Sequence, residues 1–409
     1  MRQLLSDLVI AWRNLTRNRQ RSVVSIMTVA SGIVAFSLAS GFIAWIFVDM
    51  RDSTVRSQLG HVQIVRPDYF DKGIADPYSF LLGDGREQFP KLAALEGVVS
   101  VTPRLAFSGL ASLGDATVSF LGEGVSPSGE KPISARINID VGKDLQSDNE
   151  AAVILGEGLA DSLGAKLGDR IVLLVTTDKG GAGAVEVEVA GIFNTTSKEF
   201  DDHALRLPIQ RARTLMKVDG ATAWVMLLDN HLLTQRVIEQ LKSFLPGDGY
   251  QLVPWSDLAD FYNKTVTLFK SQIQVVKVII GLIIVLSISN TQTMSVLERT
   301  TEIGTMLALG QKRGIVMRLF ILEGLLIGLL GGVIGISIGW LAAQGISAVG
   351  IPMPPAPGMA HGFTGAVLLT GEIAVESVVL AVTTTLLASI LPAFRASRLN
   401  IVDALRYNQ

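Results

Sequence analysis

Few side chains in this sequence have the type and spacing to make or break a bond. Four histidines occur, His61, His203, His231 and His361, and no two stand at the spacing of a metal-ligand pair. Cysteine is absent, which removes thiolate ligands, a thiol nucleophile and disulfides. A literal G-x-S-x-G, the pattern of an esterase nucleophile, runs from Gly335 through Ser337 to Gly339. That chemistry needs a sharp strand-to-helix turn, and this match sits inside a long apolar run, where glycine serves packing. Phosphate cradling is missing too, since Gly310-Gln311-Lys312-Arg313-Gly314 lacks the spacing of G-x-x-x-x-G-K-[ST]. No H-E-x-x-H or paired-carboxylate pattern stands out, so no catalytic residue and no metal site is expected. What remains is charge in unusual places: Lys277, Glu323 and Glu376 within or beside apolar runs, and a charged loop from Glu298 to Arg313.

A charge in a membrane span is a functional hypothesis by default. Glu323 lies near one end of its run and Lys277 near the other end of its own, so snorkelling to the interface explains each alone. Lys277 opens one apolar run and Glu376 another, at matching depth, which predicts an ion pair. The charged loop sets Ile303, Met306, Leu307 and Leu309 at helical spacing, and Gly310 can end that helix. An amphipathic helix in so short a loop needs cover for its apolar face. The bilayer can supply it, or a groove on a soluble partner can; the residues leave both open. Glu298, Arg299, Glu302, Ile303, Met306, Leu309, Gly310, Lys312 and Arg313 form the candidate contact set. In the next apolar run, Gly324, Gly328 and Gly332 make one four-residue stripe, and Gly331, Gly335 and Gly339 make another. Such stripes let helices approach closely in a membrane.

These residues need elements to hold them. The chain has 409 residues, 49% hydrophobic and only 18% charged, with a mean hydropathy of +0.43; soluble domains average about 25% charged. That apolar fraction excludes a disordered chain. Ser22 to Val48 carries no charge and is far longer than a signal-peptide core, so residues 22–48 are expected to form an uncleaved first span. Further spans are expected at 271–297, 319–346 and 373–394. Before the first, residues 2–15 place Leu4, Leu8, Trp12 and Leu15 on one helical face with Leu5 and Val9 alongside. Residues 1–21 therefore read as a helix lying on the cytoplasmic leaflet, an anchor for topology as well as an interfacial element.

Charge sets the orientation. Arg2, Arg13, Arg17, Arg19 and Arg21 precede the first span; Arg299, Lys312, Arg313 and Arg318 fill the 298–318 loop; Arg395, Arg398 and Arg406 fill the 395–409 tail. The short 347–372 loop has no Lys or Arg. The positive-inside rule then predicts cytoplasmic termini and an extracytoplasmic segment over 49–270. Of the 35 basic and 37 acidic residues, that segment holds 22 and 30, leaving 13 and 7 elsewhere: net −8 outside, net +6 in the remainder. Nothing in this pattern calls for a nucleic acid. Its 222 residues suffice for one or two cores. Alternation in His61-Val62-Gln63-Ile64-Val65 and in Val185 to Val189 predicts half-buried strands, Gly156 to Leu163 a short helix after a strand, and Lys179 to Gly183 a hairpin tip. His231 to Phe244 reads as an amphipathic helix. The expected fold is an α-helical membrane protein with four spans plus a large mixed α/β extracytoplasmic domain between the first and second.

Several segments together resemble one family. Met294 to Gly304 with Ala308-Leu309-Gly310, Leu322-Glu323-Gly324 running to Gly331-Gly332, and the tail from Pro392-Ala393-Phe394-Arg395 through Asp403-Ala404-Leu405-Arg406-Tyr407 are similar to MacB/FtsX/LolC–LolE-type ABC transporter permeases. So are Ala11-Trp12-Arg13-Asn14-Leu15 at the start and Val153-Ile154-Leu155-Gly156 through Gly168-Asp169 in the large domain. The resemblance implies a permease in the bacterial inner membrane, paired with a second permease copy and driven by separate cytoplasmic ABC ATPase subunits. ATP and magnesium would bind those subunits, and no cofactor this chain. It also implies that residues 298–313 couple to the ATPase, and that ATP-driven motion passes along the second span to the outer domain. The size of that domain, the separate ATPase and Asp68-Tyr69-Phe70-Asp71 resemble the lipoprotein-releasing branch. A lipidated cargo drawn from membrane lipids toward a periplasmic acceptor would meet Phe42, Ile46, Phe269 and Ile273, at positions that ordinary helix packing also explains. Two other functions fit the same family: macrolide or peptide efflux with a periplasmic adaptor, and signalling across the membrane to a periplasmic hydrolase.

Overall fold

The computed structural model describes residues 2–73, 76–83, 85–245, 249–355 and 362–401, with side chains from residue 6 onward. Leu4, Leu5, His361 and the tail motif Asp403 to Tyr407 thus lie outside the described residues or side chains. The chain opens with helices α1 (Arg2–Arg17) and α2 (Arg19–Thr54). It divides into two units: residues 1–47, 266–352 and 364–409 form one, and residues 48–265 and 353–363 the other.

The second unit is built on ten strands: β1 (Val62–Val65), β2 (Val98–Leu113), β3 (Ala116–Val125), β4 (Asn138–Gly142), β5 (Ala152–Gly156), β6 (Arg170–Thr176), β7 (Ala182–Asn194), β8 (Ala204–Pro208), β9 (Ala223–Leu228) and β10 (Gln251–Pro254). Its helices are α3 (Phe89–Ala93), α4 (Pro127–Glu130), α5 (Glu157–Leu163), α6 (Lys198–Asp201), α7 (Ile209–Met216), α8 (Thr234–Phe244) and α9 (Trp255–Leu258). Strand order is β10-β1-β9-β2-β3-β8-β5-β7-β4, and β6 bridges β2 to β7. The pairings β2-β3-β8-β5-β7-β6 therefore close on β2 again. Closure leaves no free edge along that circuit, which is how a sheet avoids presenting unpaired backbone. The pairs β3–β8 and β5–β7 are parallel and the other pairs antiparallel.

The alternation Val185, Val187, Val189 against Glu186 and Glu188 does put valines inward and glutamates outward on β7. With Ile171, Leu173 and Val175 of β6 they fill one core, closed by Leu159 and Leu163 of α5 and Leu215 of α7. Helix α5 ends at Gly164, whose φ of 67° is the left-handed cap that glycine takes without strain. Strand β1 departs from expectation. It is buried along its whole length, because it lies between β9 and β10 with apolar clusters on both faces: Leu92, Trp224 and Leu241 on one, Val225, Val253 and Trp255 on the other. A central strand covered on both faces shows no half-buried pattern.

The membrane unit comprises α1, most of α2, and α10 (Asp260–Glu298), α11 (Thr300–Ala308), α12 (Arg313–Val349) and α13 (Gly371–Ser397). Four of its helices, α2, α10, α12 and α13, are long and apolar enough to cross a membrane. Val29, Ile33 and Phe36 of α2 meet Ile284 and Ile288 of α10, Ile327 of α12, and Leu380 and Ala388 of α13. The two glycine stripes of α12 serve different partners. A Cβ on Gly324 would come within 3.1 Å of Thr385 O, on Gly328 within 3.0 Å of Val382 Cα, and on Gly332 within 3.2 Å of Ala381 Cβ, all on α13. On Gly331 it would lie 2.7 Å from Val29 Cβ, on Gly335 2.8 Å from Ala30 O, and on Gly339 2.5 Å from Ser37 Oγ, all on α2. Apolar side chains gain nothing by leaving lipid, so this close backbone approach is what holds α12 in place.

Candidate functional site

Helix α10 ends at Glu298, and Arg299 (φ −101°, ψ 13°) breaks it before α11 begins. Helix α11 is amphipathic as its spacing predicts, but its apolar face is already occupied. Ile303 and Leu307 are buried with Val296 of α10, Val316 and Phe320 of α12, and Ala393 and Ala396 of α13. Neither lipid nor a partner covers Ile303; the unit's own helices do, because α11 folds back against the helices that flank it. Exposed instead is the segment after the helix. Leu309 is 84% exposed, Gly310 turns the chain with φ 86°, and Lys312 and Arg313 stand free of the core at the start of α12. The turn thus sets an exposed apolar side chain close in sequence to two exposed cations. Met306 is half-buried beside it.

Of the charged members of the candidate set, Glu298, Arg299 and Glu302 bond to other helices. Arg17 Nη2 donates to both carboxylate oxygens of Glu302 at 2.7 Å, and Arg21 pairs with Glu298. The hydrogen bonds from Arg17, with the charges of Arg17 and Arg299, hold the Glu302 pKa below the usual carboxylate value. Arg299 reaches the other way. Its Nη1 donates to Glu323 Oε1 at 2.9 Å, and its guanidinium stands 5.6 Å from the centre of the Phe320 ring. Asn14 Nδ2 donates to the same Oε1 at 2.7 Å. Glu323 does not snorkel. It is 6% exposed, and it remains there because two donors from outside its own helix meet it.

This arrangement also revises the face of α1. Asp7, Ala11 and Leu15 are buried, while Leu8, Val9 and Trp12 are exposed. Leu15, about 60° around the helix from Trp12, thus belongs to the buried stripe with Asp7 and Ala11 rather than to the exposed one. Asp7 pairs with Arg318 there. Lys277 Nζ donates to Glu376 Oε1 at 2.5 Å, linking α10 to α13. Phe269 meets Phe47 edge-on with centroids 6.2 Å apart, Phe42 stacks on Trp45 at 6.5 Å, and Ile273 packs against the cluster that includes Ile33 and Phe36. Ile46 is half-buried. Phe42, Phe269 and Ile273 are thus each engaged in packing contacts.

Three sets of polar residues escaped the sequence reading. Gln292 of α10, 4% exposed, donates through Nε2 to Ser389 Oγ of α13 at 2.9 Å; a search for charge passes over an amide. Asn14 carries no charge either. The third set lies in the strand-built unit, where Arg104 and Arg206 face Glu123 and Glu130. Arg206 Nε donates to Glu123 Oε2 at 2.9 Å, Nη1 to Ser134 Oγ at 2.6 Å and Nη2 to Ser57 O at 3.0 Å. Arg104 donates to Glu130 and to Gln58 O. Burial works against both charges, yet the opposite charges outweigh it. The Arg104 pKa is raised by Glu130 and Glu123, and the Glu130 pKa is lowered by Arg104 and Arg206. Nearby, His61 accepts the Leu228 N–H through Nδ1 at 3.0 Å, and burial, assisted by Arg56, lowers its pKa to about 4.

Comparison with known proteins finds matches over both units. Residues 22–244 match the MacB-like periplasmic core domain, and residues 275–401 match the FtsX-like permease C-terminal region. An uncharacterized ABC transporter permease of Methanocaldococcus jannaschii is 24% identical over 280 residues, 66% of this chain and 65% of that protein's length. The lipoprotein-releasing system transmembrane protein LolC of Xylella fastidiosa is 27% identical over 307 residues, 69% of this chain and 72% of LolC. Among solved structures, the periplasmic region of MacB from Actinobacillus actinomycetemcomitans aligns with 53% of this chain and 96% of that region, at 14% identity and a TM-score of 0.38.

Proposed function

Because the chain belongs to the MacB/FtsX/LolC–LolE-type family of ABC transporter permeases, we propose that it is the membrane subunit of an ATP-driven transporter that moves a lipidated cargo from the outer leaflet of the inner membrane toward the periplasm. In this reading the unit of residues 48–265 is the extracytoplasmic domain between the first and second spans, and both termini are cytoplasmic. The excess of Lys and Arg before α2, between α10 and α12 and after α13 supports that orientation. A separate ATPase docks on the cytoplasmic loop, and its ATP-dependent closure drives the permease. The observation that carries the proposal is the exposed Leu309–Arg313 tip, projecting beyond a helix whose apolar face is already covered. Helix α10 runs without a break from Asp260 to Glu298, the continuous lever such a mechanism requires. The choice of a lipidated cargo is supported by the match to LolC across most of that protein.

The test is a pull-down of the full chain from its native membranes in mild detergent, read by mass spectrometry. An ABC ATPase that co-purifies with the parent and is lost in Leu309→Arg with Lys312→Glu is the expected result. Both substitutions are on exposed residues, so the fold survives them. An acylated protein in the same sample supports the cargo. A periplasmic adaptor there would favour efflux, and a hydrolase signalling. The absence of any ATPase across several detergents overturns the coupling.

A further inference from the structure

We propose that Glu323, held between Arg299 and Asn14, is a positioning residue that makes helices α1 and α11 one moving body, so that a push on Leu309–Arg313 reaches the N-terminal helix and the third span together. The inference rests on the reading of that tip as the ATPase contact and adds how its motion is distributed. The alternative is that α1 is an anchor, floating at the lipid surface independently of the loop.

The contacts favour a clamp. Helix α1 and the first turn of α2 are tied to three other elements: Asp7 to Arg318 of α12, Asn14 to Glu323 of α12, Arg17 to Glu302 of α11, and Arg21 to Glu298 of α10. Three of these links are at least partly solvated, and such pairs contribute little energy while setting register. Glu323 differs. It stands about three turns into α12, buried, and its Oε1 is shared by one donor from α1 and one from the residue preceding α11. Removing either donor leaves a buried carboxylate short of compensation, which is far costlier than losing a solvated pair. Arg299 is fixed in turn by the Phe320 ring and by Glu302, 3.4 Å from its Nε. The two partners of Glu323 therefore cannot separate without stranding a charge, and α1 follows α11. The exposed Leu8, Val9 and Trp12 of α1 would carry that motion along the lipid surface.

Amide hydrogen exchange on the full chain in lipid nanodiscs tests the clamp without any partner. In Glu323→Gln, exchange of residues 6–17 and 300–308 should accelerate together by roughly tenfold to a hundredfold. Strands β1 to β10 should keep the parent rates, showing that the chain still folds. Glu323→Asp should restore part of the protection. Unchanged exchange over 6–17 overturns the clamp. If Glu323→Gln cannot be purified, Asn14→Leu removes the amide link alone, and residues 6–17 should then be released while 300–308 stay protected; retained protection of 6–17 in that variant also overturns it. The second reading uses the complex with its ATPase, trapped by ATP and vanadate. The parent should change exchange in both segments and Glu323→Gln only in 300–308, a difference that a merely stabilising residue would not produce. A parent that changes 300–308 alone overturns the proposal. Failure to recover any ATPase would defeat the transporter reading, whereas the nanodisc measurement still decides the clamp.

Discussion

Among the described residues two clusters of carboxylate and guanidinium are buried, and they are built for different loads. In the strand-built unit two arginines meet two glutamates, so charge balances within the cluster. Surplus donors are taken by Ser134 Oγ and by the carbonyls of Ser57 and Gln58. Those carbonyls belong to a π-helical turn, Val55–Leu59, directly after α2, and the arginines come from β2 and β8. In the membrane unit one carboxylate oxygen takes two donors, and from Arg299 the chain of contacts leads outward to a half-exposed Glu302 and Arg17. A closed, balanced cluster among hydrogen-bonded strands has no cheaper arrangement available and acts as a fixed joint. An open chain that ends at the surface can exchange its outer members with water while its buried end at Glu323 holds, and acts as a joint that moves together with the helices it ties.

The largest expected effect breaks the fixed joint. Arg206→Met fills similar space but leaves Glu123 and Ser57 O without their donor, and it should cost about 3–5 kcal/mol of stability. Glu323→Gln keeps an acceptor for Asn14 and should cost less, about 1–2 kcal/mol. Thermal unfolding of the full chain in nanodiscs compares the two. Equal losses would mean that both clusters are fixed, and the distinction between them would fall.

Acid sharpens the comparison. The lowered Glu130 pKa keeps the cluster among the strands charged below the ordinary carboxylate range, so its contribution persists until pH falls through that depressed value. His61 acts earlier. Its pKa is about 4 in the fold against 6.5 unperturbed, so below 6.5 the unfolded chain takes up a proton that the folded chain refuses. Stability from this residue is complete above pH 6.5 and declines toward pH 4, by about 2–3 kcal/mol. His61→Asn keeps an acceptor for the Leu228 N–H and should flatten that part of a stability–pH curve. An unchanged slope would assign the loss to the carboxylates instead.

How much of this was legible beforehand depends on whether a feature is local. The apolar runs, the glycine stripes and the charge asymmetry are properties of neighbouring residues, and the four long helices and the two packing faces of α12 follow from them. That Gly324, Gly328 and Gly332 meet α13 while Gly331, Gly335 and Gly339 meet α2 is a tertiary fact, invisible in spacing alone. The same holds for Glu323. A lone acid near a span end snorkels unless something binds it, and its binders lie 309 and 24 residues away along the chain. Ile303 illustrates the reverse error: periodicity identifies an apolar face correctly but says nothing of which neighbour covers it. Arg206 carried no local signal, since one arginine in a short strand is ordinary until three other charges converge on it.

Next in size are the solvated links of the moving joint. Glu302 is half-exposed, and its hydrogen bonds from Arg17 are open to water and salt. Glu302→Gln should cost at most about 0.5–1 kcal/mol, and the difference should shrink as salt is raised from low ionic strength to about 0.5 M. The Arg206→Met loss, fully buried, should be nearly insensitive to the same change. A salt-independent Glu302 effect would place that residue in the fixed class.

The smallest effect is expected at Lys277 and Glu376, an isolated pair that tests whether a short contact alone makes a strong joint. The distance of 2.5 Å is close, yet the side chains are 29% and 44% exposed, and among the described residues no other hydrogen bond to either side chain accompanies it. The pair has neither the enclosure nor the surplus acceptors of the Arg104–Arg206 cluster. It pays the entropy of holding a long lysine side chain against a gain that surrounding water or headgroups would largely replace. A double-mutant cycle with Lys277→Met and Glu376→Gln should therefore give a coupling below about 1 kcal/mol. The charge swap Lys277→Glu with Glu376→Lys should recover whatever each reversal alone loses. A coupling above about 3 kcal/mol would equal the fixed joint. Enclosure and charge balance would then not be what separates the two clusters, and proximity alone would have to account for both.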